Sequence, residues 1–256
     1  MKKLEFLIDF FDIKKSTFLV LLLAFLTGQF KTILLFLAIS FIHEIGHLIS
    51  CLFFKIKLKK INVLPFGFNL EIEDYTSLNS LQEMIIYASG PFTFFISNFL
   101  IIYLYNNQIL SEISFQYAKN ANLVINLFNL LPIYPLDGFR ILNSILQFFF
   151  KYKISLKSSA LISIIAFILL IVYTIKTPQI VIVIFLFLMQ YKYLKEIPFL
   201  YKKFLINKTY PKKHKHYKII NNYEMYKDKN NYKMEKGKII NDQQIANKLL
   251  KQSKYL

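Results

Sequence analysis

"FIHEIGHLIS", residues 41–50, places two histidines and a glutamate inside a run that is otherwise nearly all apolar. Ionisable groups are costly to bury, so a hydrophobic segment that keeps three of them needs a use for them. On a helix, residues four apart project from one face, one turn from each other. His43 and His47 are therefore placed to present two imidazoles to a single Zn²⁺. Glu44 stands beside them, in reach of a water activated by that metal, as general base for attack on a peptide carbonyl. One reaction thus accounts for all three groups. The competing reading is a polar cluster that only stabilises helix contacts, and the expense of ionisable residues inside a span argues against it.

The rest of the chain is that of a membrane protein. Its 256 residues are 55% hydrophobic with a mean hydropathy of +0.41, 27 Phe and no Trp, far too apolar for a soluble domain. Apolar runs at roughly 17–30, 32–54, 84–104, 121–136, 158–175 and 178–194 approach the roughly 20 residues that cross a bilayer. They predict an all-α polytopic membrane protein with about six transmembrane helices. Run 17–30 is short, and Asn122, Asn126 and Asn129 interrupt 121–136. A cleavable signal peptide is not expected, because charges continue from Lys2 to Lys15 and no small-residue cleavage site follows the first apolar run. Lysines cluster before the first run, after the second (Lys55, Lys57, Lys59, Lys60) and after the fourth, where Arg140 joins them. Positive residues favour the cytoplasmic side, so both termini are expected in the cytoplasm.

Between the second and third runs, "KIKLKKINVLPFGFNLEIEDYT" alternates apolar and polar residues on both sides of "PFGF". It predicts a small β-hairpin with Gly67 at its tip. The hairpin is either an ordinary amphipathic surface element or an edge offered to an extended peptide. Gly90-Pro91, in the middle of the third run, reads as a kink or close-packing point. Cys51, the single cysteine, reads as a small core residue.

Near residue 195 the composition turns Lys-, Asn- and Tyr-rich, which divides the chain into a transmembrane domain, 1–195, and a basic cytoplasmic tail, 196–256. Such a tail is most simply attracted to anionic lipid headgroups, making the lipid bilayer its partner. No recognisable nucleic-acid module accompanies the charge, so no nucleic-acid partner is expected. His214 and His216 lack a third ligand type nearby and read as solvated side chains. "NDQQIANKLLKQ" predicts a short helix capped by Asn241 or Asp242, with Ile245, Leu249 and Leu250 on one face.

A catalytic zinc normally takes three protein ligands and keeps one position open. The soluble extended pattern needs a histidine six residues after His47, but position 53 is Phe. Between Glu112 and Glu196 the only acidic residue is Asp137, in "NLLPIYPLDGFRIL" at the end of the fourth run. By the span order, the second and fourth runs both head toward the cytoplasm, so Asp137 and the "HEIGH" turn end at similar depth.

"HEIGHLIS" followed by "NLLPIYPLDGFRIL" resembles the two signature motifs of the site-2 proteases, intramembrane zinc metalloproteases. With "LPFGFN" between the second and third spans, the chain is most similar to the branch of the stage IV sporulation protein FB of spore-forming bacteria. The resemblance covers about residues 1–195. It implies one Zn²⁺ per chain held by His43, His47 and Asp137, Glu44 as general base, and Asn129 near the substrate strand or the developing oxyanion. It further implies a bacterial cell membrane location and a membrane-associated protein substrate, such as a sigma factor precursor or a membrane-anchored transcription regulator. A regulatory membrane partner would fit the same scheme.

Two departures stand out. The family often has a second glycine after the aspartate, where this chain has Gly138 then Phe139. The sporulation branch often ends in a nucleotide-sensing CBS module, for which this tail is too short and too polar, so ATP control is not expected. Two other classes stay open. A non-proteolytic zinc-binding membrane protein or transporter would spread ionisable groups along several spans. A membrane-anchored adaptor would work through its tail, and cutting near residue 195 separates it from a protease, which is expected to keep a folded active site.

Overall fold

Helix breaks and packing faces follow from where proline, glycine and small polar residues fall along apolar sequence. The computed structural model describes residues 11–13, 15–64, 67–72, 78–174, 180–210, 216–235 and 237–252. In chain order these form β1 (Phe11–Ile13), α1 (Lys15–Leu26), α2 (Phe30–Phe53), β2 (Leu58–Leu64), β3 (Gly67–Ile72), α3 (Ser80–Phe92), α4 (Phe94–Asn106) and α5 (Glu112–Asn129). The second half carries α6 (Asp137–Phe149), α7 (Tyr152–Thr174), α8 (Ile180–Thr209), β4 (Tyr217–Ile219), β5 (Asn230–Glu235), β6 (Lys238–Ile240) and α9 (Asp242–Gln252). Two compact units result: residues 1–75 with 85–130, and residues 76–84 with 131–256.

Among the described residues, three stretches are long and apolar enough to cross a membrane: Phe30–Phe53, Ser80–Asn106 and Tyr152–Thr174. Large apolar side chains such as Phe99, Leu169 and Val172 stay exposed on them, as a lipid-facing surface requires. The protein is an integral membrane protein. The other expected runs are helical with shifted bounds. Run 17–30 falls largely in the 12-residue α1, about 18 Å long, which ends at Leu26. Run 121–136 falls largely in α5, which begins at Glu112 because Ser111 caps it, its Oγ accepting from Ser114 N at 3.4 Å. α5 then stops at Asn129, short of the predicted end. Run 178–194 continues into the 30-residue α8.

The expectation of an all-α chain with one hairpin is corrected in two places. In the first unit β1 runs parallel to β2, and β2 pairs antiparallel with β3. Gly67 is not the tip: it opens β3 opposite Leu64, because two residues suffice to connect antiparallel strands. Residues 65 and 66 lie outside the described residues. In the second unit β4 runs parallel to β5, and β5 pairs antiparallel with β6.

The first unit's core joins α2, α4 and α5 through Ile39, Ile101, Ala118, Ala121 and Ile125. Gly46 lets α2 approach α3 closely. A Cβ there would collide with the Ser89 carbonyl oxygen and lie 2.6 Å from Thr93 Cγ2. Pro91 ends α3, and the Thr93 amide and hydroxyl both donate to Gly90 O, at 2.9 and 2.7 Å, before α4 restarts.

In the second unit, Ser155, Ser159 and Ser163 form a fully buried stripe on α7, small enough for helices to close on it. Ser163 Oγ accepts from Tyr134 N at 2.9 Å and from Gln190 Nε2 at 2.5 Å. Phe139, the departure from Gly-Gly, is fully buried between Tyr134 and Tyr193, with ring centroids 5.4 and 4.9 Å away. The tail residues fold. Ile220, Met225, Ile245 and Ala246 form a core with Phe204 and Leu205 of α8 and Tyr152 and Leu156 of α7. α9 begins with a capping box: Asn241 Oδ1 accepts from Gln244 N, and Gln244 Oε1 from Asn241 N, both at 3.1 Å. His216 is exposed, with its backbone oxygen bonded to Asn230 N, and His214 lies outside the described residues.

Candidate metal centre

The helical spacing of "HEIGH" does bring its two imidazoles together. His43 and His47 lie on consecutive turns of α2, 3% and 5% exposed, with Nε2 atoms 3.3 Å apart. Each ring is held by its other nitrogen. His43 Nδ1 lies 3.1 Å from Asn126 Oδ1, and His47 Nδ1 lies 2.7 Å from the Ile86 carbonyl oxygen. Asn126 has its orientation fixed in turn, because its Nδ2 donates to Asn122 O at 2.8 Å and to Asn122 Oδ1 at 3.0 Å. Ser97 Oγ donates to that same Asn122 Oδ1 at 2.8 Å. Both partners of the rings are therefore acceptors, so each neutral imidazole carries its proton on Nδ1 and turns an Nε2 lone pair toward the other.

Two lone pairs facing each other at 3.3 Å in a buried site repel, unless a cation lies between them. Zn–N bonds of about 2.0–2.1 Å in a tetrahedron give an edge of about 3.3 Å between ligand nitrogens, which matches the Nε2 separation. Hydrogen bonding of a ligand's far nitrogen to a carbonyl is also how metal-binding histidines are oriented. The pair fits zinc.

Gly90 sits against this pair. A Cβ there would fall on His47 Nε2 and Cε1 and lie 2.7 Å from His43 Nε2. The Gly90-Pro91 close-packing point thus packs against the imidazole Nε2 atoms themselves, and only glycine leaves them room. Glu44 follows His43 on α2 and is half-buried. Asn129, the last residue of α5, is half-buried and donates its Nδ2 to Ile125 O at 3.0 Å. Asp137 belongs to the second unit. It is the half-buried first residue of α6, and Leu136, not Asp137, holds the N-cap position.

The residues that orient the histidines were missed in the sequence. Asn122 and Asn126 looked like interruptions of an apolar run, yet they are four apart, and the rule applied to His43 and His47 puts them on one face of α5. That face was legible; its partner, 83 residues away in sequence, was not.

Comparison with known proteins finds a related family profile, related sequences and a related fold. The profile of Peptidase family M50 matches residues 106–173. Stage IV sporulation protein FB of Bacillus subtilis is 33% identical over 141 residues, covering 54% of this chain and 49% of the relative. A zinc metalloprotease of Methanocaldococcus jannaschii is 32% identical over 136 residues, covering 50% of this chain and 38% of the relative. The chain thus spans half or less of these curated relatives. The solved site-2 protease from Methanocaldococcus jannaschii shares the fold, with a TM-score of 0.54 at 22% identity over 73% of this chain and 90% of that one.

Proposed function

From its similarity to M50 peptidases of the site-2 protease type, we propose that the chain belongs to that family and cleaves a membrane-associated protein by zinc-dependent hydrolysis. The observation that carries this is the buried histidine pair, each Nδ1 against an acceptor and the Nε2 atoms at a zinc edge apart. We propose His43, His47 and Asp137 as the ligands of one zinc ion. When bound, zinc supplies Lewis acidity that polarises a peptide carbonyl and acidifies water.

The chain's own residues do the rest. Asn126 and the Ile86 carbonyl hold the two rings in the ligating tautomer. Glu44 accepts the proton of the attacking water and passes it to the leaving amine, as a general base that is not a ligand. By the resemblance, Asn129 would serve near the substrate strand or the developing oxyanion, and the first unit's sheet offers an edge on which an extended substrate segment can pair. We place this in a bacterial cell membrane with about six spans and both termini cytoplasmic, which reporter fusions after residues 60, 155 and 200 check. A sigma factor precursor or a membrane-anchored transcription regulator is the proposed substrate class, and the sporulation relative suggests the setting.

Co-expression with candidate membrane-anchored regulators tests the reading. The wild type is expected to release a shortened product. Glu44→Gln should lose roughly 10²–10⁴-fold of the turnover while keeping its zinc. Equal product from both would overturn it.

A further inference from the structure

The folded tail leaves one face of its sheet bare. Cross-strand register pairs Ile219 with Tyr232 and Met234 with Ile239, and Tyr217 stands two residues before Ile219, so these five side chains share a face. Tyr217, Ile219, Met234 and Ile239 are 68–74% exposed, and Tyr232 is 37% exposed. The alternate positions face inward. Asn231 is fully buried, its N–H donating to Asp242 Oδ1 of α9 at 2.7 Å. Scattered exposed apolar residues are ordinary, but five contiguous ones on a three-stranded sheet mark an interaction surface.

Charge selects the occupant. Residues 196–256 hold fifteen lysines against five acidic residues; Lys218, Lys233 and Lys238, in the same three strands, alternate with the apolar five and lie on the opposite face of the sheet. Two copies of so basic a tail repel each other, which disfavours a second copy on this face. An anionic lipid surface attracts it, at roughly a fivefold gain in binding per lysine near the headgroups. The tail is also tethered beside such a surface: its core packs on the end of α8, at Phe204 and Leu205, and the first half of that helix is the apolar stretch Ile180–Leu188, exposed except at Val183 and Leu186.

We propose that the Tyr217, Ile219, Tyr232, Met234 and Ile239 face is a membrane-docking surface that seats in the boundary of an anionic leaflet, drawn there by the net positive charge of the tail that carries it. This stands independently of the proteolytic reading, since it uses none of the site residues.

The chain has no tryptophan, so one introduced on this face is a unique reporter. Full-length Ile219→Trp, reconstituted into phosphatidylcholine vesicles with and without phosphatidylglycerol, is read by emission maximum and by quenching from brominated acyl chains. Met234→Trp, on the neighbouring strand, repeats the reading if the first variant folds poorly. Lys251→Trp, at an exposed position of α9, serves as the control. Blue-shifted emission with at least roughly twofold stronger quenching in the anionic vesicles, weakened as salt rises to about 0.5 M, supports the proposal. Water-like emission without quenching in every vesicle overturns it. So does a blue shift that appears in detergent and grows with protein concentration, which would assign the face to a second copy.

Discussion

Lys227→Met strips the counter-charge from a carboxylate that has no access to water. Glu83, near the start of α3, is fully buried, and Lys227, from the tail, is 6% exposed. The two form an ion pair. Ser144 Oγ donates to the other Glu83 oxygen at 3.3 Å, and Lys227 also lies over the Tyr152 ring at 5.8 Å. The neighbouring Asp228 accepts the Ser80 amide with both oxygens, at 3.2 and 3.1 Å. Removing one member of a buried pair leaves an uncompensated charge and costs about 3–5 kcal/mol, while replacing both by apolar residues is close to neutral. Against a typical total of about 5–15 kcal/mol, the single change consumes a large share of stability. Thermal unfolding of the purified protein in detergent should therefore show Lys227→Met strongly destabilised, and Glu83→Leu with Lys227→Met within about 1 kcal/mol of wild type. A single variant that loses less than about 1 kcal/mol, with no coupling in the double-mutant cycle, would refute the reasoning. A chain cut near residue 195 would leave Glu83 without this partner. Such a cut removes Lys227, Ile220, Met225 and Ile245 together.

Asn126→Leu deletes the acceptor that fixes the His43 tautomer, so zinc affinity, measured by chelator competition, should fall about 10–100-fold without loss of the fold. Gly90→Ala pushes a methyl group onto the imidazoles and should lower zinc content more than it lowers the melting temperature. Gly46→Ala, at the contact between α2 and α3, should do the reverse, at a cost of about 1–3 kcal/mol with zinc per folded chain unchanged.

What the sequence made legible was local. The pairing of His43 with His47 follows from helical periodicity within five residues, and the apolar runs follow from hydropathy over about twenty. Helix ends were less visible. Ser111 and Glu112 start α5 with capping chemistry that lies outside the apolar window used to find it. Contacts across the fold were not visible at all. Nothing near Asn126 or Gly90 in sequence announces a histidine, because helix crossings bring them to it. The tail's core was hidden for another reason: its lysines dominate the composition, while its core residues, Phe204, Leu205, Ile220, Met225 and Ile245, are spread too thinly to form a run. β1 is three residues long and pairs with a strand some 50 positions later, which no local pattern encodes. Asp137 and Asn129 came from motif resemblance, and spacing alone did not assign their roles.

Zinc content is the most direct test of the central claim. Wild type, His43→Ala and Asp137→Ala are purified side by side, and metal is counted per folded chain. The account predicts about one zinc in the wild type, with both variants losing most of it, since each removes one of three protein ligands. Asp137→Ala retaining full zinc while His43→Ala loses it would contradict the account and place the third ligand elsewhere in the chain.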